Sequence, residues 1–149
     1  MDKVTASAQK FEALIRDQLA RVERMKTAEE RPDYQNLPQI IIGTVGGDGI
    51  GPAITAQAQR VIEYLLADEI AAGKVKIKEI AGLTIENRVK VGKAIPDDIL
   101  EELKQCHVIL KGPTTTPQAG DKWPYIKSAN VAIRKELDRF ANVRPGHGT

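Results

Sequence analysis

The stretch Gln39-Ile40-Ile41-Ile42-Gly43-Thr44-Val45-Gly46-Gly47-Asp48-Gly49-Ile50-Gly51-Pro52 decides the fold class. Its first half is an apolar, β-branched run of strand length, and its second half is a cluster of glycines closed by a proline. Glycines admit positive φ angles and let a backbone approach a neighbour closely, and proline suits the first turn of a helix. The segment therefore predicts a strand over 39–45, a sharp loop, and a helix over 52–67 with Ile54, Ala58, Val61, Ile62 and Leu65 turned inward. It is not the dinucleotide fingerprint, because glycines at 47 and 49 would require a third at 52, where Pro52 stands. Nor is it a phosphate loop, since no Gly-Lys-Ser/Thr follows. A purely structural turn and a ligand-approaching loop are both open readings of these glycines.

The same alternation continues toward the C-terminus. Residues 74–80 alternate as a strand, 84–91 and 97–105 read as helices, the second entered through Pro96-Asp97-Asp98, and 107–111 is an apolar strand. A further helix over 128–137 and a strand over 139–144 close the pattern. Strands separated by helices predict an α/β fold, a parallel or mixed sheet with helices on both faces. Toward the N-terminus, Val4, Ala8, Phe11, Ile15, Leu19, Val22 and Met25 recur at helical steps, with no glycine or proline before Pro32. Residues 1–30 thus read as an amphipathic helical arm, 31–38 as a linker and 39–149 as the body. Through Gln35 the arm has seven basic and seven acidic residues, which argues against a membrane-surface role. Packing on the body and packing on a second subunit are both open.

Composition excludes several classes. A net charge of +2 offers no electrostatic reason for nucleic acid or an anionic membrane, and 4% aromatic residues supply no base-stacking platform. One cysteine, Cys106, forms no internal disulfide, which fits the cytoplasm. No signal-peptide core or 18-residue apolar run is present, and His107 and His147 lack partners at metal-ligand spacing.

The run Ser128-Ala129-Asn130-Val131-Ala132-Ile133-Arg134 carries the chemistry, continuing to Arg144. On a helix, Asn130 and Arg134 lie one turn apart on one face, with Ser128 at the N-terminal end where unpaired amides favour anions. A hydroxyl, a carboxamide and guanidinium groups supply many donors and few acceptors. Such a set suits a small polycarboxylic acid, Arg134 being able to bind a carboxylate in two-pronged fashion. A capping serine with an arginine on a solvated face is the plainer alternative.

Three segments narrow the choice: Gly47-Asp48-Gly49-Ile50-Gly51-Pro52, Leu110-Lys111-Gly112-Pro113-Thr114-Thr115-Thr116-Pro117, and Ser128 through Pro145. In this order and spacing they resemble the isocitrate/3-isopropylmalate dehydrogenase family. The resemblance covers about residues 39–145 and matches the N-terminal part, less than half, of a typical member. It implies oxidation of a 2-hydroxy acid by NAD or NADP, then loss of the β-carboxylate with Mg²⁺ or Mn²⁺ holding the enolate, in a homo-oligomer whose subunits share active sites. On the resemblance, Ser128 and Asn130 contact the carboxylate peculiar to isocitrate, and Arg134 and Arg144 bind the carboxylates shared by the family's substrates. Lys111, Thr115 and Thr116 lie on the nicotinamide side of the cofactor, with Gly47 and Gly49 bordering its cleft. A hydroxyl and a carboxamide at 128 and 130 would be unmatched against the branched apolar group of isopropylmalate, so isocitrate is preferred.

Two departures stand out. Ala53 replaces the family's glutamate, and the stretch 118–127 is longer than usual and carries Trp123, Pro124 and Tyr125. That stretch reads either as a lid or as a surface loop pinned by its aromatics. The family's third arginine, general-acid tyrosine, catalytic lysine, metal-binding aspartates and adenosine loop match positions beyond Pro145. The resemblance therefore implies that the 149 residues alone do not turn over, with no catalytic or metal-ligating residue in the chain. A fragment or frame-shifted reading of a dehydrogenase, one piece of a split enzyme complemented by a C-terminal chain, and a non-catalytic binding or interaction module remain as accounts, in that order.

Overall fold

The computed structural model describes residues 2–27, 33–138, 141 and 143. These form two compact units, one within residues 1–36 and one within 37–149.

The first unit is built on α1 (Lys3–Thr27), 25 residues long. Its apolar positions Val4, Phe11, Ile15, Leu19, Val22 and Met25 are all exposed and none of its residues is buried. Surface pairs one turn apart, Arg16 with Glu12 and Lys26 with Glu23, support it locally. No helix among the described residues is long and apolar enough to cross a membrane.

The second unit is an α/β body around a parallel three-stranded sheet in the order β2-β1-β3. The central strand β1 (Ile40–Val45) pairs with β2 (Val75–Glu79) from Ile40↔Val75 to Thr44↔Glu79. On its other side it pairs with β3 (Val108–Lys111), from Ile42↔Val108 to Val45↔Lys111. Helices α2 (Gly51–Leu65) and α3 (Ala67–Ala71) connect β1 to β2, and α4 (Ile85–Val91) and α5 (Asp97–Lys104) connect β2 to β3. The two crossovers run in opposite directions along the sheet, and the right-handed connection that is the rule between parallel strands sets two such helix pairs on opposite faces.

Local chemistry accounts for the helix ends. Thr84 Oγ1 accepts from Asn87 N–H at the start of α4, and Gly92, at φ 71°, closes that helix in the left-handed conformation. Asp97 and Asp98 open α5 and Lys104 ends it, each charge set against the helix dipole. The core joins Val45 of β1, Ile80, Leu83, Ile95, Ile99 and Leu103 of α5, and Ala129 of the last helix, α6 (Ala129–Glu136).

One expectation is corrected. Of the residues expected inward on α2, Ala58 and Ile62 are half-buried on the face that holds the buried Gly51 and Thr55, while Ile54, Val61 and Leu65 are 49%, 57% and 69% exposed. Close backbone contact sets this phase. A Cβ on Gly51 would lie 2.1 Å from the carbonyl oxygen of Gly46, and one on Gly112 would meet the same oxygen at 2.1 Å and Thr55 Oγ1 at 2.8 Å. Tight glycine packing thus turns the face of Gly51, Thr55, Ala58 and Ile62 to the body and leaves Ile54, Val61 and Leu65 outside. The predicted strand over 139–144 lies largely outside the described residues.

Candidate functional site

The glycine loop after β1 is held from three sides by Asp48. Its N–H donates to Pro113 O at 2.8 Å, and its carboxylate accepts from Ile85 N–H at 2.7 Å and from Thr115 N–H at 2.6 Å. One aspartate thereby ties the loop to the first turn of α4 and to the threonine segment after β3. Gly47, at φ 74°, lies so close to that segment that a Cβ would sit 2.0 Å from Pro113 O. Gly49, also left-handed at φ 59°, has open space around it. Gly47, Gly49 and Thr115 share an open cleft of about 470 Å³ with Thr84, Glu86 and Trp123. The loop over 118–127 thus forms one wall of the cleft. Trp123 lies half-buried there, beneath the Lys122 ammonium at 4.9 Å, whereas Tyr125 is exposed.

Arg88 was not singled out by the sequence, yet it is fully buried. Its Nε donates to Ala94 O at 2.9 Å, one terminal nitrogen to Thr115 O at 2.7 Å and the other to Lys127 O at 2.8 Å. Burial holds its pKa below the ordinary arginine value, and the Asp48 charge opposes that shift. Nothing in the sequence separates Arg88 from a solvated helix arginine. Asp48, set between glycines at a strand–helix junction, carried a stronger signal.

Three of the four residues expected to bind substrate, Ser128, Asn130 and Arg134, lie at or on α6. Ser128 occupies its N-cap position, with the extended backbone typical of a cap but no capping bond from its hydroxyl. Lys111 Nζ donates to Gly112 O at 2.7 Å and to Thr114 Oγ1 at 3.2 Å, and Thr114 Oγ1 donates to the Asn130 carboxamide oxygen at 3.4 Å. Because the ammonium already donates to Thr114, the hydroxyl hydrogen goes to Asn130, whose NH₂ group remains a two-hydrogen donor. Arg134 is half-buried one turn further on, its Nε bonded to Asn130 O at 3.1 Å. Lys111 itself is pulled below its ordinary pKa, first by burial and then by the Arg88 charge, with Asp48 opposing.

The residues singled out from sequence thus fall into two adjacent groups. Gly47, Gly49 and Thr115 border the cleft, while Lys111 and Asn130 are joined through Thr114, with Arg134 on the same helix. Thr116 follows Thr115 and is half-buried, its carbonyl accepting from Gln118 Nε2 at 3.3 Å. Arg144 lies outside the described residues.

The profile of the isocitrate/isopropylmalate dehydrogenase family matches residues 41–149, which holds every one of these side chains. The chain belongs to that family. Within it, the chain is similar to an isocitrate dehydrogenase [NADP] of Archaeoglobus fulgidus, 40% identical over 131 residues that cover 83% of this chain and 30% of the relative. It is also similar to those of Staphylococcus epidermidis, 39% identical over 76% of this chain and 26% of the relative, and of Coxiella burnetii, 39% over 80% and 26%. This family member spans between a quarter and a third of the length of those relatives.

Proposed function

We propose that this chain supplies the isocitrate-binding side of an isocitrate dehydrogenase. Residues 39–149 would be the N-terminal part of the dehydrogenase α/β domain, preceded by a helical arm over 1–30 and a linker over 31–38. Ser128 and Asn130 grip the carboxylate that distinguishes isocitrate, and Arg134 and Arg144 bind the carboxylates common to the family's substrates. The observation that carries this reading is the Asn130 carboxamide, whose oxygen is occupied by Thr114 while its amide hydrogens remain to donate, one helical turn before Arg134. Donors alone suit a carboxylate. An isopropyl group would displace water from these donors and offer no acceptor in return.

Thr115, Thr116, Lys111, Gly47 and Gly49 form the proposed cofactor side. The cleft beside Thr115 is polar and open, and with the Thr115 peptide held by Asp48 and Arg88 it is the threonine hydroxyl that suits the carboxamide of a nicotinamide. When bound, NAD or NADP would accept the hydride from the substrate hydroxyl carbon, and the named relatives favour NADP. Backbone pinning by Asp48 and Arg88 holds Thr115 in one place at this wall. The divalent metal implied by the family finds no set of ligands here: no group of three or more His, Cys, Asp or Glu able to hold one occurs among the described residues. No step is assigned to it on this chain.

Calorimetry on the purified 149-residue chain tests the reading. Isocitrate is expected to bind at least about tenfold more tightly than 3-isopropylmalate, a preference of about 1.4 kcal/mol. Equal affinities, or binding of neither acid, would remove the proposal. With isocitrate, Mg²⁺ and NADP together, no reduced cofactor is expected from this chain alone.

A further inference from the structure

We infer that Arg88 is a positioning residue coupling the threonine segment to the substrate helix; this rests on the reading of Ser128, Asn130 and Arg134 as an isocitrate clamp. The sequence between Thr115 and Lys127 is an eleven-residue excursion, 116–126. Both of its ends meet one guanidinium: Thr115 O at 2.7 Å and Lys127 O at 2.8 Å. Thr115 is a proposed cofactor contact, and Lys127 directly precedes Ser128, the N-cap of α6. The planar fork of an arginine fixes the distance and direction between two carbonyls bonded to its two ends, which a single ammonium cannot do.

Core filling alone does not account for this side chain. A buried charge is costly without compensation, and an apolar residue of similar volume would pack Arg88's position more cheaply. Arg88 is instead satisfied by three carbonyls from three segments: the turn at Ala94, the threonine segment and the entry to α6. Asp48 completes a closed circuit, since its carboxylate holds both Thr115 N–H and Ile85 N–H, and Ile85 begins the helix that carries Arg88. The path Asp48–Ile85–Arg88–Thr115–Asp48 is therefore a rigid ring of backbone and side-chain links. Displacing Lys127 shifts the N-terminus of α6, and with it the spacing between Ser128 and the threonines. An occupant on either side stabilises the same arrangement for the other.

Two measurements on the full chain test the inference separately from the substrate reading. In Arg88→Lys, hydrogen exchange followed by mass spectrometry is expected to accelerate at least about tenfold in the peptide covering 116–127, with the α5 peptide over 97–104 unchanged. Exchange as slow as in the parent chain, or acceleration spread evenly over both peptides, would overturn the positioning role whatever the substrate proves to be. By calorimetry well below the unfolding midpoint, Arg88→Lys is expected to bind isocitrate about tenfold or more weakly, and Arg88→Ala to regain affinity with millimolar methylguanidinium but not methylammonium. Parent-like affinity in Arg88→Lys would overturn the coupling while leaving the isocitrate reading intact. Failure of the parent chain to bind isocitrate would remove that reading and the coupling to substrate with it, and the exchange comparison would still decide whether Arg88 positions the loop. Should the variants not fold, the Arg88 Nε–H resonance of the labelled parent serves instead. It is expected to exchange slowly and to shift on saturation with isocitrate, and a resonance that stays still while isocitrate binds would refute the link.

Discussion

Asp48 and Arg88 hold the backbone of Thr115 from its two sides, the carboxylate accepting from its N–H at 2.6 Å and the guanidinium donating to its C=O at 2.7 Å. A residue gripped through both peptide groups has little freedom left. Asp48→Asn keeps the shape of the side chain but replaces one accepting oxygen with a donor and removes the charge opposite Arg88. The expected loss is about 2–4 kcal/mol, from one broken charge-assisted bond and the N–H left facing a donor. Urea denaturation of the two proteins measures it, and a change below 1 kcal/mol would contradict the hub role.

The two left-handed glycines of the loop separate conformation from contact. Gly49→Ala meets open space and bears only the left-handed backbone cost, about 1–2 kcal/mol. Gly47→Ala bears that cost and also drives a Cβ into Pro113 O. Its loss should exceed that of Gly49→Ala by 2 kcal/mol or more, or prevent folding, as thermal melts of the pair will show.

Cys106 governs part of the alkaline behaviour. Its thiol fills the space beside Gly43, donates to Glu102 O at 3.3 Å, and is pushed above the ordinary value of 9.0, first by burial. The unfolded chain therefore loses this proton at lower pH than the folded one. The stability it contributes is complete below pH 9.0 and is lost as pH rises through the higher folded value. Lys111, lowered from 10.5, gives the opposite slope, with stability rising as pH approaches 10.5. Cys106→Ala should accordingly flatten the decline in melting temperature above pH 9, and Lys111→Met should steepen it.

On α2 the exposed stripe gives a direct check of helix phase. Val61→Lys is expected to change stability of the chain by less than about 0.5 kcal/mol, the usual range for a surface position. Thr55→Lys, directed at the buried face against Gly112, should cost several times more or abolish folding. Reversal of that order in denaturant melts would show the small face to be outermost.

For the proposed clamp, Arg134→Lys retains the charge and loses two-pronged geometry, so isocitrate affinity should fall about 10–100-fold with an unchanged circular dichroism spectrum. Asn130→Leu should lower isocitrate binding while narrowing the preference over isopropylmalate. Calorimetry with both acids reads both effects.

Much of the body was legible along the chain because its signals are local. The β-branched run before Gly46, the proline and aspartates opening α5, and the threonine before α4 each act within a few residues, and the strands and helices fall where those signals lie. The spacing of Asn130 and Arg134 is equally local, being one turn of a helix. Tertiary structure decided the rest. The phase of α2 follows from Gly46, Gly51 and Gly112 meeting across the sheet edge, a contact between segments about sixty residues apart that outweighs the stripe of Ile54, Val61 and Leu65. Arg88 has an ordinary helical position in the sequence. Only folding brings the carbonyls of Ala94, Thr115 and Lys127 around it, because a buried guanidinium needs acceptors and the nearest ones come from other segments.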